Sequence, residues 1–390
     1  MEKEIIKYCK ICLNHTGLFK KKNLEKIRSK PDQLKDGICN VCSKEILKKK
    51  NKINWNKREK ILNKITLWAK KNRVSDYDCI IPVSGGKDSL LQAIHVRDVL
   101  KLKPLLVTCS YPPEQITHLG ARNYSNIVNN GFDSLAVTLD PLKWKKLMKH
   151  SFLKFGNWCR STEMALYAIP IHIALFYQIK ILFYGENFLY TVAHGTKDEG
   201  DSWDAKNLYL GGNTTKGGPK SLKYSKASEL DYLFYNYPPK KQVRNANMKI
   251  VYLGWFMKNW YGLSNAKFSI KHGMEKRKKN DPLKTGDLWG HSALDEDLSI
   301  VNQHMKYLKK GYGTITDQVC EGIHQGIITR KDGIKLLEKY DGKVSEFYVN
   351  KFCKYLEISK KTYNETVDKF VNKDLFEKNK GKWVKKFKIL

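Results

Sequence analysis

The chain has 390 residues, 41% apolar and 12% aromatic, enough to bury about two or three domain cores and well above a disordered composition. Its net charge of +33 rests on 63 lysines and only 9 arginines spread along the whole chain, a bias that predicts a solvated basic surface and makes nucleic-acid binding unlikely to be the function. No run approaches the roughly 18 apolar residues of a membrane span, and MEKEIIKYCK has no apolar signal core, so the expectation is a cytoplasmic protein without a membrane segment.

Nine cysteines, an odd number, point to a reducing compartment. Four of them are paired as Cys9-Lys-Ile-Cys12 and Cys39-Asn-Val-Cys42. Each pair can form a tight turn that sets both sulfurs on one ion, and two pairs complete a tetrahedral site. A structural zinc ion is the preferred reading and an iron–sulfur cluster the alternative. Four protein ligands leave no open position for chemistry. Residues 1–50 are thus expected to form a small zinc-binding unit.

Residues 48–71 read as one basic helix, with Ile61, Ile65 and Trp68 at helical spacing. Strands are then expected over 78–83, 105–109, 134–138 and 179–184, separated by helices over 89–100, 114–130, 139–149 and 163–177. Such alternation predicts an α/β domain, 51–260, with a doubly wound parallel sheet. From 186 to 249 the chain is rich in Gly, Asn, Lys and Tyr and loses its periodicity, which returns over 250–260. Residues 261–390 form a mainly helical C-terminal region, with Thr329-Arg-Lys-Asp332 as a helix start.

The strongest chemical signal is Ser84-Gly85-Gly86-Lys87-Asp88-Ser89, between the first strand and its helix. Two glycines let the backbone approach a phosphate closely, and the helix aims unpaired amides and its positive end at the charge. Ser84, Lys87 and Ser89 add donors, and Asp88 can hold a magnesium ion. The common P-loop pattern is absent. Tyr184-Gly185-Glu186-Asn187 ends the fourth strand, so Gly185, Glu186 and Asn187 are expected in the same ligand crevice. Ser110, at the end of the second strand, is expected near where the adenine of a bound nucleotide would rest. Cys159, in Asn157-Trp-Cys-Arg-Ser-Thr-Glu163, sits at a helix start beside an arginine; buried packing is its preferred role and an activated nucleophile the alternative, while the segment itself is a candidate for substrate contact. Gly311-Tyr-Gly-Thr-Ile-Thr-Asp317 and Arg330 read equally as turns or as acceptor-side groups.

The SGGKDS spacing resembles the PP-loop of the ATP pyrophosphatases. Together with the cysteine pairs and the segments "DCIIPVSGGKDSL", "FGNWCRSTEMALYAIPIHIA", "LFYGEN", "HMKYLKKGYGTITDQ" and "GIITRKDGIKLLEKYDG", it resembles the N-acetyl sugar amidotransferases. These make acetamidino sugars for lipopolysaccharide O-antigen and for pseudaminic or legionaminic acid. The resemblance implies ATP, Mg2+ and structural Zn2+ as cofactors, with an acetamido sugar as substrate. It implies Lys87 and Asp88 as the catalytic pair. It further implies ammonia from a separate glutaminase with a cyclase-like companion. A tRNA-modifying PP-loop enzyme, a thiolase or lysidine synthetase, is the alternative. Against it, Gly185-Glu186-Asn187 stands where such enzymes carry a His-bearing motif, and Thr162 stands where a second cysteine would pair with Cys159.

Overall fold

A computed structural model describes residues 7–15, 36–50, 52–185, 222 and 230–389. Two helices come first, α1 (Asn40–Lys49), which starts within the second cysteine pair, and α2 (Trp55–Lys71). The single basic helix expected over 48–71 is therefore broken. Asn54 begins the second one, its side chain accepting the Lys57 N–H at 2.8 Å. Ile65 is the buried ridge of α2, with Ile61 and Trp68 beside it, as their spacing predicts.

The alternation that follows is β1 (Cys79–Pro82), α3 (Lys87–Ile94), β2 (Pro104–Ser110), α4 (His118–Asn129), β3 (Ser134–Thr138), α5 (Pro141–Phe155), α6 (Cys159–Phe176) and β4 (Ile181–Tyr184). α4 starts later than expected because Thr117 caps it, accepting the Gly120 N–H at 2.8 Å. α6 starts earlier than expected, where the Trp158 indole donates to Leu298 O at 3.0 Å. Next come α7 (Lys240–Asn245), β5 (Lys249–Tyr252), α8 (Leu253–Phe256), α9 (Gly262–Lys271) and α10 (Pro282–Thr285). β5 is a strand hidden from the sequence reading, since three buried residues, Ile250, Val251 and Tyr252, running straight into a helix carry no period of their own.

The five strands pair in parallel, in the order β3-β2-β1-β4-β5. Their side chains alternate between two cores. Ile80, Leu105, Val107 and Leu182 enter the one that α5 and α6 complete. Cys79, Ile81, Leu106 and Phe183 enter the one that α2 and α3 complete. With both faces covered, this is a doubly wound α/β sheet. The strand order reverses between β1 and β4, so the loops leaving those two strands diverge and open a crevice at their carboxyl ends.

The C-terminal region is helical as expected: α11 (Leu298–Lys310), α12 (Thr314–His324), α13 (Arg330–Tyr340), α14 (Glu346–Leu356) and α15 (Lys360–Phe370). An unexpected hairpin, β6 (Phe376–Asn379) and β7 (Lys382–Lys385), closes it, and Phe376 joins the core that holds Phe352 of α14. Thr329 caps α13 as predicted, accepting the Asp332 N–H at 3.1 Å. Among the described residues no helix is long and apolar enough to cross a membrane.

The C-terminal region reaches the sheet through residues 294–296, whose backbone lies across the start of α4. Thr117 N–H donates to Asp295 O at 2.9 Å, and a Cβ on Gly120 would stand 2.5 Å from Asp295 Cα. Backbone on both sides cannot yield as a flexible side chain would. Gly120→Ala should lower stability by about 1–3 kcal/mol, seen as an earlier urea midpoint at unchanged slope; an unmoved midpoint would show that the two segments can part freely.

Candidate functional site

The loop between β1 and α3 is built to leave its amides open. Gly85 takes a left-handed φ of 81°, and a Cβ there would stand 2.7 Å from the backbone nitrogen of Tyr124 on α4. Only glycine fits that approach. Gly86 begins α3 without any side-chain cap, so the first-turn N–H groups face the crevice unblocked. Ser89 shapes the loop from inside: its hydroxyl donates to Gly86 O at 3.0 Å and accepts the Ser84 N–H at 3.4 Å. Ser84 stays exposed, its Oγ accepting the Gly86 N–H at 3.4 Å.

Lys87 and Asp88 form an ion pair of 2.8 Å, with side chains 19% and 43% exposed. Burial opposes the Lys87 charge, but the carboxylates of Asp88, Glu321 and Asp287 more than offset it and raise its pKa. The lysine is therefore a fixed cation. Helix α9 grips the same two residues. Asn265 Nδ2 donates to Asp88 Oδ1 at 2.7 Å, and the Ser269 hydroxyl donates to Lys87 O at 2.6 Å. Both Asp88 oxygens are thus engaged, one by a neutral amide and one by Lys87.

Gly185 ends β4 beside this loop, and a Cβ there would stand 2.8 Å from Gln92 Oε1 of α3. Ser110 ends β2 at the same edge of the sheet, its hydroxyl donating to Tyr111 O at 3.3 Å. Glu186 and Asn187 lie outside the described residues, as does most of the irregular 187–249 stretch. A group the sequence reading missed is His291. It is buried, neither ring nitrogen has a hydrogen-bond partner, and burial, then the Lys87 charge, pushes its pKa down to about 4. Its loop is clasped by Arg277, which donates to Ser292 O at 2.6 Å and Ala293 O at 2.7 Å and pairs with Asp287 at 3.4 Å. A buried arginine–aspartate clasp is the one signal that could have found it, and in a lysine-rich chain the scarce Arg277 stands out.

Cys159 opens α6 beside a group of carboxyls, packed against the core on the α5 and α6 side of the sheet. Burial, followed by the charges of Glu163, Glu296 and Asp295, raises its thiol well above the ordinary range. It stays protonated, which fits packing and not nucleophilic work. Burial also pushes Glu163 up to about 7, against the pull of Lys310 and Arg160, and Asp295 up to about 6. Glu296 is occupied structurally, accepting the N–H groups of Leu298 and Ser299 at 2.6 and 2.7 Å. The Gly311–Asp317 turn is occupied as well: Asp341 accepts the Gly313 N–H at 3.1 Å and the Thr316 hydroxyl at 2.6 Å.

The four N-terminal cysteines meet. Their sulfurs are buried and lie within 4.8 Å of one another, with Cys9 to Cys42 at 3.7 Å and Cys12 to Cys39 at 3.6 Å. Thiolates bound tetrahedrally at 2.3 Å to one ion would stand about 3.8 Å apart. Amide N–H groups of Ile11 and Cys39 point at Cys9 Sγ, at 3.5 and 3.4 Å. Crowding opposes joint ionisation: hydrogen bonds from Cys12, Cys39 and Cys42 hold the Cys9 thiol low, while the other three are pushed up. A single cation at the centre removes that conflict, so these residues fit a metal ion.

Residues 287–389 match the family described as "LPS biosynthesis protein WbpG-like, C-terminal domain", and over that region the resemblance seen in the sequence is borne out. No curated protein matches the chain. Among solved structures, the chain is similar to an NMN synthetase from Francisella tularensis, at 11% identity and TM-score 0.26, covering 57% of this chain and 99% of that one. The NH3-dependent NAD synthetase from Campylobacter jejuni subsp. jejuni NCTC 11168 gives 14% and 0.28, covering 58% and 100%. The U34-tRNA thiolase NcsA from Methanococcus maripaludis, with its 4Fe-4S cluster, gives 13% and 0.22, covering 77% and 88%.

Two outcomes are expected. Purified protein should hold one metal ion per chain by elemental analysis, and Cys39→Ser should lose it and expose residues 36–50 to protease, since such a site contributes on the order of 10–16 kcal/mol to folding. The second concerns pH. A carboxyl whose folded pKa is raised, as for Glu163 from 4.5 to about 7, stabilises the fold fully below the lower value and ceases to as pH rises through the upper one. Glu163→Gln should therefore flatten the decline in melting temperature between pH 5 and 8; an equally steep decline would place the titration elsewhere.

Proposed function

We propose that this protein is an ATP-dependent amidotransferase that turns the acetamido group of a sugar into an acetamidino group, releasing AMP and pyrophosphate. The observation that carries the reading is the uncapped start of α3, pressed by Gly85 against α4 and flanked by the Lys87–Asp88 pair at the strand-order reversal. The match of residues 287–389 to a lipopolysaccharide-biosynthesis family supports a sugar as the acceptor.

An amide is a poor electrophile, and its oxygen a poor leaving group. The amide oxygen attacks the α-phosphorus of ATP, the bond to the β-phosphate breaks, and pyrophosphate leaves. Ammonia then adds to the activated imidate carbon, loses a proton, and expels AMP. The open amides of α3 cradle the phosphates, and Lys87 turns from Asp88 to the leaving pyrophosphate, where it stabilises charge that grows as the bond breaks. That turn frees Asp88 Oδ2, while Asn265 keeps the other oxygen in place. A magnesium ion held at Asp88 supplies charge screening of the triphosphate. The product amidine is a cation, and the carboxyls of Glu163 and Asp295 near Cys159 are candidate counter-charges for it once ionised. Zinc is the ion proposed for the four cysteines, in a structural role. Ammonia comes from solution or from a separate glutaminase, and the cytoplasm is the proposed location.

With an acetamido sugar, ammonia and ATP, the protein should form AMP and pyrophosphate, and the sugar should lose about one mass unit as NH replaces oxygen. Oxygen-18 in the amide should appear in AMP. Lys87→Ala should slow the reaction by ~10²–10³. Formation of ADP, or label kept in the sugar, rejects the mechanism; saturable tRNA binding at physiological salt with one preferred isoacceptor favours a tRNA-modifying enzyme instead.

A further inference from the structure

We propose that Glu321 is a positioning residue for Lys87, and that through its helix α12 the occupancy of the four-cysteine metal site sets how tightly the cradle holds a triphosphate. The inference rests on the reading of the Ser84–Ser89 loop as a triphosphate cradle.

Consider what one face of α12 touches. Cys320 Sγ donates to Cys12 O at 2.7 Å, inside the first cysteine turn. His324 Nε2 stands 3.1 Å from Cys42 Sγ, on the second. A thiolate bound to a metal is an acceptor for that ring N–H, so a filled site anchors α12 at two points. Between these two residues in sequence lies Glu321, on the adjoining side of the helix. Its carboxylate accepts the Leu263 N–H at 2.9 Å and the Gln325 amide at 2.9 Å. Leu263 is in the first turn of α9, where an N–H has no partner within the helix and a negative charge is favourable.

Gly262 shows how near Glu321 comes to the catalytic lysine. A Cβ on that residue would stand 2.9 Å from Glu321 Oε2 and 3.2 Å from Lys87 Cε. The carboxylate and the lysine stem therefore flank one small gap that only a missing side chain leaves open. A second arm runs from the metal site to the same place. α1, which starts at the second cysteine pair, carries Glu45, and Tyr261 donates to its carboxylate at 2.7 Å immediately before α9. From there α9 reaches Asp88 through Asn265 and Lys87 O through Ser269. The chain of direct contacts is unbroken from sulfur to cradle.

Coupling between two binding sites is reciprocal, so a metal that tightens the cradle must itself be held more tightly when the cradle is filled. The test titrates the full-length zinc-loaded protein to equilibrium with a competing chromophoric chelator, with and without MgATP, the zinc taken by free ATP being subtracted from a protein-free titration. Saturating MgATP should tighten the zinc dissociation constant at least about fivefold, the lower end of ordinary coupling. Glu321→Ala should keep its zinc and still bind ATP, yet hold zinc with nearly the same affinity with and without it. Gly262→Ala, which drives a methyl between Glu321 and Lys87, should do the same. If ATP binds the wild-type protein and leaves zinc affinity unchanged, the inference falls alone. If ATP does not bind at all, the cradle reading falls with it. A Glu321→Ala protein that melts earlier but keeps the full tightening by ATP assigns the residue a purely structural role and overturns the proposal.

Discussion

The rest of the site depends on a helix start left without a cap. Seven of the fifteen described α-helices begin on a residue whose side chain accepts a first-turn N–H: Cys39, Asn54, Thr117, Asp140, Asp281, Thr329 and Ser359. α3 begins on Gly86 and has no such bond. Leaving those donors open is unfavourable in isolation, by about 1 kcal/mol relative to a capped start. The surroundings hold it open. Gly85 is locked against α4 and Ser89 closes the loop from within, while α9 grips the helix from outside. Donors that a capping side chain would satisfy are left open at this loop.

This arrangement explains which features were legible in the sequence. The SGGKDS run needs no distant partner to reveal itself, because the glycines, the strand before it and the helix after it are contiguous. The paired cysteines are equally local in each knuckle. The groups that brace the cradle are another matter. Asn265, Ser269, Glu321 and His291 are common residue types in unremarkable contexts, and only the tertiary fold brings them to Lys87 and Asp88. The same division holds for the fold. Strands buried on both faces were readable as apolar runs, whereas β5 and the β6–β7 hairpin are defined by what they pair with.

Charge behaves in the crevice against the trend of the chain. A molecule of net charge +33 gathers Asp88, Asp287 and Glu321 about Lys87, and Glu163, Asp295 and Glu296 about Cys159. The lysines cover the outside, many of them lying over aromatic rings, as Lys249 does over Trp68 and Lys378 over Trp383. A polyanion running over the whole surface would meet these carboxylates there. Composition describes the skin of this protein; its site has a different sign.

The contacts between the cysteine knuckles and α12 also have a bearing on how the chain is made. Cys42 and His324 are 282 residues apart, and Cys12 and Cys320 are 308 apart. At translation rates of about 5–20 residues per second, the knuckles leave the ribosome roughly 15–60 s before the helix that covers them exists. During that interval four thiols are without their cover from α12, in reach of oxidants and of competing metals. Early capture of an ion would protect them, and the nascent protein would then carry its metal before it has a site to brace.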